Sequence, residues 1–401
     1  MHRRGALTRI GFLGAFAAPA GLQEIVSRAA GHGDTAPLSR NATDEDFQRL
    51  LRLANVPSFS LAEVAGDRIS TASVGVRRSG EPQVVTPDTV YAAASLTKAV
   101  FAYALIALAR DGAFSLDRPV ADYLPLPNPE DERAKSITAR HLLSHSGGWR
   151  NWRFSADQAL TADFTPGERW SYSGEGYFFL QRLAEHLTGR AVGDIVRERV
   201  FEPLGMTRSS MAPLESLEEN QAASHSAQGE PRTRFGEPTI AELRRMVSSA
   251  NRSLESVTIS EVEQALRTVE PKLAVLPVFF TVNAAATMLT TANDFARFLR
   301  HIVTARRAGG AAAAIVTEMT TTGVRCNEAI RWGHGAGLET LGDTTWAWQW
   351  GDNPGFKNIY FADPGGERAL VIFTNGDRGA RVYERVVRAR TGLDHPAFLF
   401  A

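Results

Sequence analysis

Ser95-Leu96-Thr97-Lys98 places a hydroxyl and an amine three positions apart at the start of a strongly apolar segment. Residues 99–109 are apolar on every face of a helix except for one tyrosine hydroxyl, a pattern typical of a helix buried inside a large domain. The Asp111-Gly112 pair is a typical helix stop. The sequence therefore predicts a buried helix from Ser95 to Arg110.

Lys98 is expected to be partly uncharged in this position. Side chains three apart on a helix are neighbours, so its amine can reach the Ser95 hydroxyl. Burial and the positive end of the helix dipole both disfavour the ammonium form. We therefore expect a lowered pKa for Lys98 and a role as the base that activates Ser95 as a nucleophile. The alternative is a serine that caps the helix beside a lysine that reaches solvent.

The composition is that of a globular protein with a large core. Hydrophobic residues make up 44% of the 401 residues and charged residues 22%. Lys+Arg and Asp+Glu both number 44, so bulk charge argues against a nucleic-acid partner. The single cysteine, Cys326, forbids an internal disulfide and a cysteine-based zinc site. We expect neither a metal nor another cofactor.

The first 31 residues have the features of an export leader. Arg3, Arg4 and Arg9 precede an apolar run over 10–22 that contains small residues suited to a cleavage site. The run is too short and too rich in Gly and Ala for a stable membrane span. We predict a leader over 1–31, a linker over 32–42 and export to the periplasm or the medium. The protein would be cytoplasmic if the leader is not a signal.

Strand patterns occur at both ends of the chain and helical patterns lie between them. Strands are predicted at 58–64 and 68–76, with a glycine-containing turn between them, and again at 344–350, 357–361 and 368–374. We therefore predict an α/β (α+β) fold: an antiparallel sheet flanked by helices, built from both chain ends, with a mostly helical inserted subdomain.

The predicted boundaries give one domain over 43–395. Its sheet part covers about 43–94 and 325–395, and its helical part covers about 95–324. The segment 210–280 has the least regular pattern.

A second motif, Tyr172-Ser173-Gly174, lies in a glycine-rich loop just before a predicted helix. Such loops hold functional groups at fixed positions. A phenol near Lys98 would be pushed towards phenolate and could carry a proton to a leaving group. The alternative is a tyrosine that only packs its ring in a turn.

These motifs together resemble the serine β-lactamase and penicillin-binding-protein superfamily, in the branch of class C β-lactamases, DD-carboxypeptidases, D-aminopeptidases and related esterases. Residues 95–98 match the family's S-x-x-K, and residues 172–174 occupy its Y-x-N position. Residues 138–148 are similar to its R-x-L-L-x-H-x-S-G segment. Residues 350–356 fall where the family carries K-T-G or H-x-G on a strand that faces the nucleophile.

The resemblance implies a serine hydrolase that works through an acyl-enzyme. In that assignment Ser95 is the nucleophile, Lys98 is its base and Tyr172 carries the proton. The backbone N–H groups of Ser95 and Asp352 would form the oxyanion hole.

Two departures from the family pattern bear on the substrate. Gly174 replaces the Asn of Y-x-N, and Gln349 replaces the cation of the third motif, which would bind a substrate carboxylate. We expect Gln349, Trp350 and Gly351 to contact the substrate. Lys357 or a nearby arginine could restore the missing charge.

We expect a small ester or amide substrate, with an ester favoured over an amide. The alternatives are a β-lactamase, a D-amino-acid peptidase such as a DD-carboxypeptidase or D-aminopeptidase, and a non-catalytic descendant that binds cell-wall peptide or a protein.

Two further patterns suggest weaker alternatives. His141 and His145 have the spacing of a zinc-binding helix but lack its Glu, so structural histidines are expected. Residues 144–148 resemble the G-x-S-x-G nucleophile elbow around Ser146, yet they lack the first Gly and a preceding strand.

Overall fold

The computed structural model describes residues 38–154, 158–233, 237–269, 281–321 and 323–400. The predicted leader over 1–31 lies outside these ranges, as does the first part of the predicted linker. None of the helices in these ranges combines the length and the hydrophobicity that a membrane crossing requires.

The strands are β1 (Ser58–Ala65), β2 (Arg68–Gly75), β3 (Tyr91–Ala92), β4 (Leu289–Thr290), β5 (Val324–Arg325), β6 (Ile330–Trp332), β7 (Gly337–Leu341), β8 (Thr344–Asn353), β9 (Phe356–Asp363) and β10 (Arg368–Thr374). The helices are α1 (Asp44–Ala54), α2 (Thr97–Arg110), α3 (Ala139–Leu143), α4 (Gly174–Thr188), α5 (Val192–Val196), α6 (Glu202–Leu204), α7 (Glu215–Glu218), α8 (Glu237–Ser249), α9 (Ile259–Val269), α10 (Ala292–Ala308), α11 (Gly310–Thr321), α12 (Gly379–Thr391) and α13 (Ala397–Phe400).

One antiparallel sheet joins the two ends of the chain. Its strand order is β2-β1-β10-β9-β8-β7-β6-β5. Phe59 of β1 pairs with Val74 of β2 on one side and with Thr374 of β10 on the other. The predicted sheet built from both chain ends is therefore confirmed, together with the five strands predicted for it.

The sheet is covered on both faces. Phe295 of α10 packs against Tyr360 and Phe373 on one face, with ring centroids 5.6 and 5.9 Å apart. On the opposite face Phe47 of α1 packs edge-on against Phe59 at 5.0 Å. Buried apolar side chains of the strands thus contribute to two helical layers.

The buried helix is confirmed, but it begins later than predicted. Residues Ala94–Leu96 form a 3₁₀ turn, and α2 begins at Thr97. Ala94, whose φ of 51° lies in the left-handed region, prevents the helix from extending further towards the N-terminus, and the first turn after it is 3₁₀, as is frequent at helix N-termini. Ser95 therefore lies in the turn that leads into the helix, with Lys98 in the first helical turn.

Several elements were not predicted from the sequence. Strands β5, β6 and β7 are two to five residues long, so each offers too few positions for an alternating pattern. Helix α11 begins beside Gly309 and Gly310, both at positive φ, and its alanine-rich sequence has no polar face to mark it as amphipathic. Helices α8 and α9 lie in the segment with the least regular sequence pattern and are separated near Asn251, whose φ is 51°.

Candidate active site

The turn that carries Ser95 is hydrogen-bonded to the segment around Met288. The Thr97 hydroxyl donates to the carbonyl of Ala94 at 2.5 Å and accepts the Met288 N–H at 3.2 Å. A non-glycine residue at positive φ costs energy and persists only where the surrounding contacts enforce it. Ala94 is fully buried. The backbone immediately before Ser95 is thus held in a strained conformation.

Lys98 lies where the helical spacing predicts. Its Nζ is 3.2 Å from the Ser95 Oγ and donates to the Ala285 carbonyl at 2.7 Å. The side chain is 1% exposed, so the alternative of a lysine that reaches solvent is wrong. Burial lowers the pKa of Lys98 to about 7, which confirms the expected direction.

The segment that supplies the Ala285 carbonyl is fixed by two asparagines. The Asn283 Oδ1 accepts the Ala285 N–H at 2.7 Å, and the Asn353 amide of β8 donates to the Ala286 carbonyl at 3.1 Å. The acceptor opposite Lys98 therefore has a fixed position.

Tyr172 lies beside Lys98, with the Lys98 Nζ 4.9 Å from the centre of its ring. The expectation of a phenolate is wrong, because burial raises the pKa of Tyr172, and the nearby Ser95 and Gln349 side chains oppose that shift only in part. The charge of the Asp352 carboxylate raises the pKa of Tyr172 further. The buried hydroxyl has no hydrogen-bond partner among the described residues. Tyr172 is therefore a neutral phenol that can donate a proton.

An indole ring occupies the space that the Asn side chain of the Y-x-N motif would need at position 174. A Cβ added at Gly174 would overlap the ring of Trp152. The two sequence neighbours of Trp152 hold its backbone against the start of α4: Asn151 Oδ1 accepts the Gly174 N–H at 2.8 Å, and Arg153 forms an ion pair with Glu175 at 2.8 Å. The loss of the amide is thus accompanied by a large apolar side chain in the same space.

We expect Gly174→Asn to destabilise the protein by about 1–3 kcal/mol, because the new side chain overfills a packed site. The measurement is the free energy of unfolding in urea. The control is the same substitution in a Trp152→Ala background, where most of the cost should disappear. An equal cost in both backgrounds would show that the indole is not the obstacle.

The residues of the third motif lie on β8 beside the Ser95 turn. Gly351 contacts that turn directly, since a Cβ added there would be 2.6 Å from the Ala93 carbonyl oxygen. Gln349 is fully buried, its amide donates to the Trp350 carbonyl at 3.2 Å, and its Oε1 has no partner among the described residues. Gln349 therefore supplies an uncharged polar group next to Tyr172.

Lys357 does not replace the missing charge. It pairs across the strands with Asp352 and forms an ion pair with that carboxylate. Its Cβ would be 3.0 Å from a Cβ added at Gly379 of α12, whereas the neighbouring Asn358 donates to the Ala92 carbonyl from the other face. Because its amine is paired with Asp352 and its side chain leaves β9 on the face opposite Asn358, Lys357 does not take the place of the cation that Gln349 lacks.

Aromatic side chains form one wall of the site. The Trp350 ring lies 5.3 Å from Tyr172, and Trp332 lies 5.5 Å from Trp350. Phe400 of α13 packs against Trp170 at 4.9 Å and Trp350 at 6.3 Å. Sequence reasoning placed Tyr172 and Trp350 in the site, whereas Trp332 and Phe400 come from distant segments with no shared motif. Trp170, two residues before Tyr172, belongs to the same motif but was not singled out as a wall residue.

The two histidines of the 138–148 segment each accept a hydrogen bond from a different backbone N–H. His141 Nδ1 accepts the Thr138 N–H at 3.2 Å, and His145 Nδ1 accepts the Ser173 N–H at 3.0 Å. His145 lies beyond the end of α3, so the two rings do not have helical spacing. In the described ranges, no group of three or more His, Cys, Asp or Glu side chains is arranged to hold a metal ion.

Comparison with known proteins gives matches over most of the chain. A model of the Beta-lactamase family matches residues 44–392. Penicillin-binding protein 4 of Amycolatopsis lactamdurans is 31% identical over 47% of this chain and 54% of its own. Esterase EstB of Burkholderia gladioli is 29% identical over 39% of this chain and 46% of its own. The chain thus spans about half the length of these curated relatives.

Solved structures share the fold. The beta-lactamase/D-alanine carboxypeptidase from Pseudomonas syringae superposes with a TM-score of 0.69 at 14% identity, over 88% of this chain and 98% of that one. The D-amino acid amidase from Ochrobactrum anthropi SV3 has a TM-score of 0.62 at 22% identity, over 86% and 97% of the two chains. The predicted fold class is confirmed.

Proposed function

The chain belongs to the Beta-lactamase family and is a serine hydrolase, and from that premise we propose that Ser95 forms an acyl-enzyme with a small neutral ester. The main support for Ser95 as the nucleophile and Lys98 as its base is the distance of 3.2 Å between the Ser95 Oγ and the fully buried Lys98 amine. The observation that favours a neutral ester is Gln349, which places an uncharged amide where the resemblance expects a cation.

Acylation begins with attack of the Ser95 Oγ on the substrate carbonyl carbon. The Ser95 proton passes to the neutral amine of Lys98, whose lowered pKa keeps part of the population uncharged near pH 7. The carbonyl oxygen gains negative charge and is bound by the backbone N–H groups of Ser95 and Asp352. The Gly351 contact with the Ser95 turn supports this arrangement, because it keeps β8 against the nucleophile.

The C–O bond to the leaving alcohol then breaks. Tyr172 donates its phenolic proton to the leaving oxygen and regains a proton from Lys98. This direction of transfer follows from the raised pKa of Tyr172, which makes the phenol the resting form. Hydrolysis of the acyl-enzyme repeats the steps with water as the nucleophile and returns the proton to Ser95.

Among p-nitrophenyl acetate, p-nitrophenyl butyrate, a chromogenic cephalosporin and a D-amino-acid amide, we expect the esters to give the highest kcat/KM. One missing charge-assisted hydrogen bond is worth about 1.5–3 kcal/mol, or about one to two orders of magnitude in specificity. A cephalosporin hydrolysed as well as the esters would contradict the proposal. Absence of turnover and of labelling by a fluorophosphonate would favour the non-catalytic alternative.

The variant that tests the role of Gln349 within this prediction is Gln349→Lys. It should raise kcat/KM for the carboxylate-bearing cephalosporin relative to the neutral esters, by about tenfold or more. Gln349→Met is the matched control, because it removes the amide without adding charge and should give no such preference. A change of equal size on both substrate classes would show that position 349 does not face the carboxylate.

A further inference from the structure

We propose that His145 is a positioning residue that holds the Tyr172 phenol in place for acyl transfer, an inference that rests on the proposed function. His145 touches Tyr172 and both of its neighbours in sequence. Its carbonyl accepts the Ser171 N–H at 2.7 Å, and its Nδ1 accepts the Ser173 N–H at 3.0 Å. Its ring lies 4.2 Å from the Tyr172 ring, with 35° between the planes.

These contacts matter because the hydroxyl end of the tyrosine is only loosely held: the Ser95 and Gln349 side chains lie near it without a hydrogen bond of regular geometry. The Tyr172 hydroxyl has no hydrogen-bond partner in the part of the chain that the structure describes. The placement of the phenolic oxygen therefore depends on the ring and on the backbone that carries it. His145 supports both, through one ring contact and two hydrogen bonds.

His145 is itself rigidly placed. It is 1% exposed, and its φ of 56° directs the chain sharply out of α3. The next residue, Ser146, donates its N–H to the His141 carbonyl at 2.7 Å and closes that turn. A backbone conformation at positive φ persists only where neighbouring contacts hold it. The closed turn supplies such contacts and so fixes the direction in which the imidazole leaves the backbone.

The imidazole is neutral and has a defined tautomer. Burial, aided by the positive charge of Lys98, lowers the pKa of His145 well below its ordinary value. Because Nδ1 accepts the Ser173 N–H, the proton is on Nε2. Nε2 has no partner among the described residues, so His145 holds the 171–173 segment through its ring, which contacts Tyr172, and through Nδ1 and the carbonyl, which bond Ser173 and Ser171.

The test is a double-mutant cycle with Tyr172→Phe, measured on the best ester of the panel. His145→Ala should lower kcat by about 10- to 100-fold, because small misplacements of a reacting group are costly, with little change in KM. In the Tyr172→Phe background the same substitution should cost less than about twofold, since no phenolic proton remains to be positioned.

Two further variants keep the test decisive. His145→Asn retains an acceptor for the Ser173 N–H and a residue type that tolerates positive φ, so it should recover part of the kcat lost in His145→Ala even if that variant folds poorly. His141→Ala is the control in the same segment and should leave kcat within about threefold, because His141 contacts the Thr138 backbone and not Tyr172. Thermal unfolding of each variant reports on folding.

The outcomes separate this inference from the proposed function. If Tyr172→Phe keeps the wild-type kcat, the proposed role of Tyr172 is wrong and the inference is overturned with it. If Tyr172→Phe is slow but His145→Ala costs the same in both backgrounds, the proposed function stands and His145 has only a structural role. Failure of His145→Asn to exceed His145→Ala would show that the Ser173 contact does not matter.

Discussion

Replacing Ser95 by alanine should lower kcat for the best ester by about 10⁴-fold or more, because the nucleophile and its base act as one unit. The structure gives the reason: the Lys98 amine is 3.2 Å from the Ser95 Oγ, with no other side-chain hydroxyl among its hydrogen-bond partners in the described ranges. Mass spectrometry of the intact protein with a slow acylating substrate should show one adduct, on the peptide that carries Ser95, and none in the variant.

Ser146→Ala is the matched control for this prediction. Ser146 is a buried serine of the 138–148 segment, and its hydroxyl contacts the Ser144 hydroxyl at 2.9 Å. The variant should keep its acylation and most of its activity. An adduct on Ser146, or unchanged turnover in Ser95→Ala, would refute the assignment of the nucleophile and revive the elbow alternative.

Replacing Lys98 by methionine should lower kcat by about 10²–10⁴-fold, as expected for a lost general base. In the wild type, kcat/KM should fall about tenfold for each pH unit below the Lys98 pKa of about 7, because the amine is then protonated. The measurement is a pH–rate profile of both proteins between pH 5 and 9. A wild-type profile that is flat through pH 7 would contradict the role of Lys98 as the base.

The same substitution should make the protein more stable. Lys98 has a pKa of about 7 when folded and 10.5 in the ordinary state, so between these values the unfolded chain binds more protons and stability rises with pH. The cost of burying this amine is complete below pH 7 and absent above about pH 10.5. The stabilisation by Lys98→Met should therefore be largest at pH 7 and below, and disappear towards pH 10.5.

The control for stability is Lys135→Met. Lys135 is half-exposed and forms an ion pair with Glu132 at 2.6 Å, so its removal should leave the free energy of unfolding nearly unchanged at any pH. A Lys98→Met variant that is less stable than the wild type at pH 6 would show that the contact with the Ala285 carbonyl outweighs the cost of burial.

The sequence by itself determined the features that depend on residues close to one another along the chain. The contact between Ser95 and Lys98 follows from a spacing of three residues at a helix start, and the buried nature of α2 follows from its uninterrupted apolar run. The strands at 58–64 and 368–374 were predictable from alternation and turn residues, and their place in one sheet from the occurrence of strand patterns at both chain ends. Their direct pairing was not predicted.

Only the tertiary structure decided the features that depend on residues distant in sequence. The indole of Trp152 occupies the space beside Gly174, 22 positions further along, and Phe400 reaches the aromatic wall from the end of the described chain. No local pattern encodes such contacts, because each requires the packing of separate elements.

The charge states of the site are the other feature that the tertiary structure decided. The sequence correctly predicted the lowered pKa of Lys98, because an amine in an uninterrupted apolar segment is buried, and burial alone lowers its pKa. For Tyr172 burial raises the pKa against the opposing effect of the Ser95 and Gln349 side chains, and burial prevails. The balance depends on how completely the surrounding elements exclude water, which only the assembled fold determines.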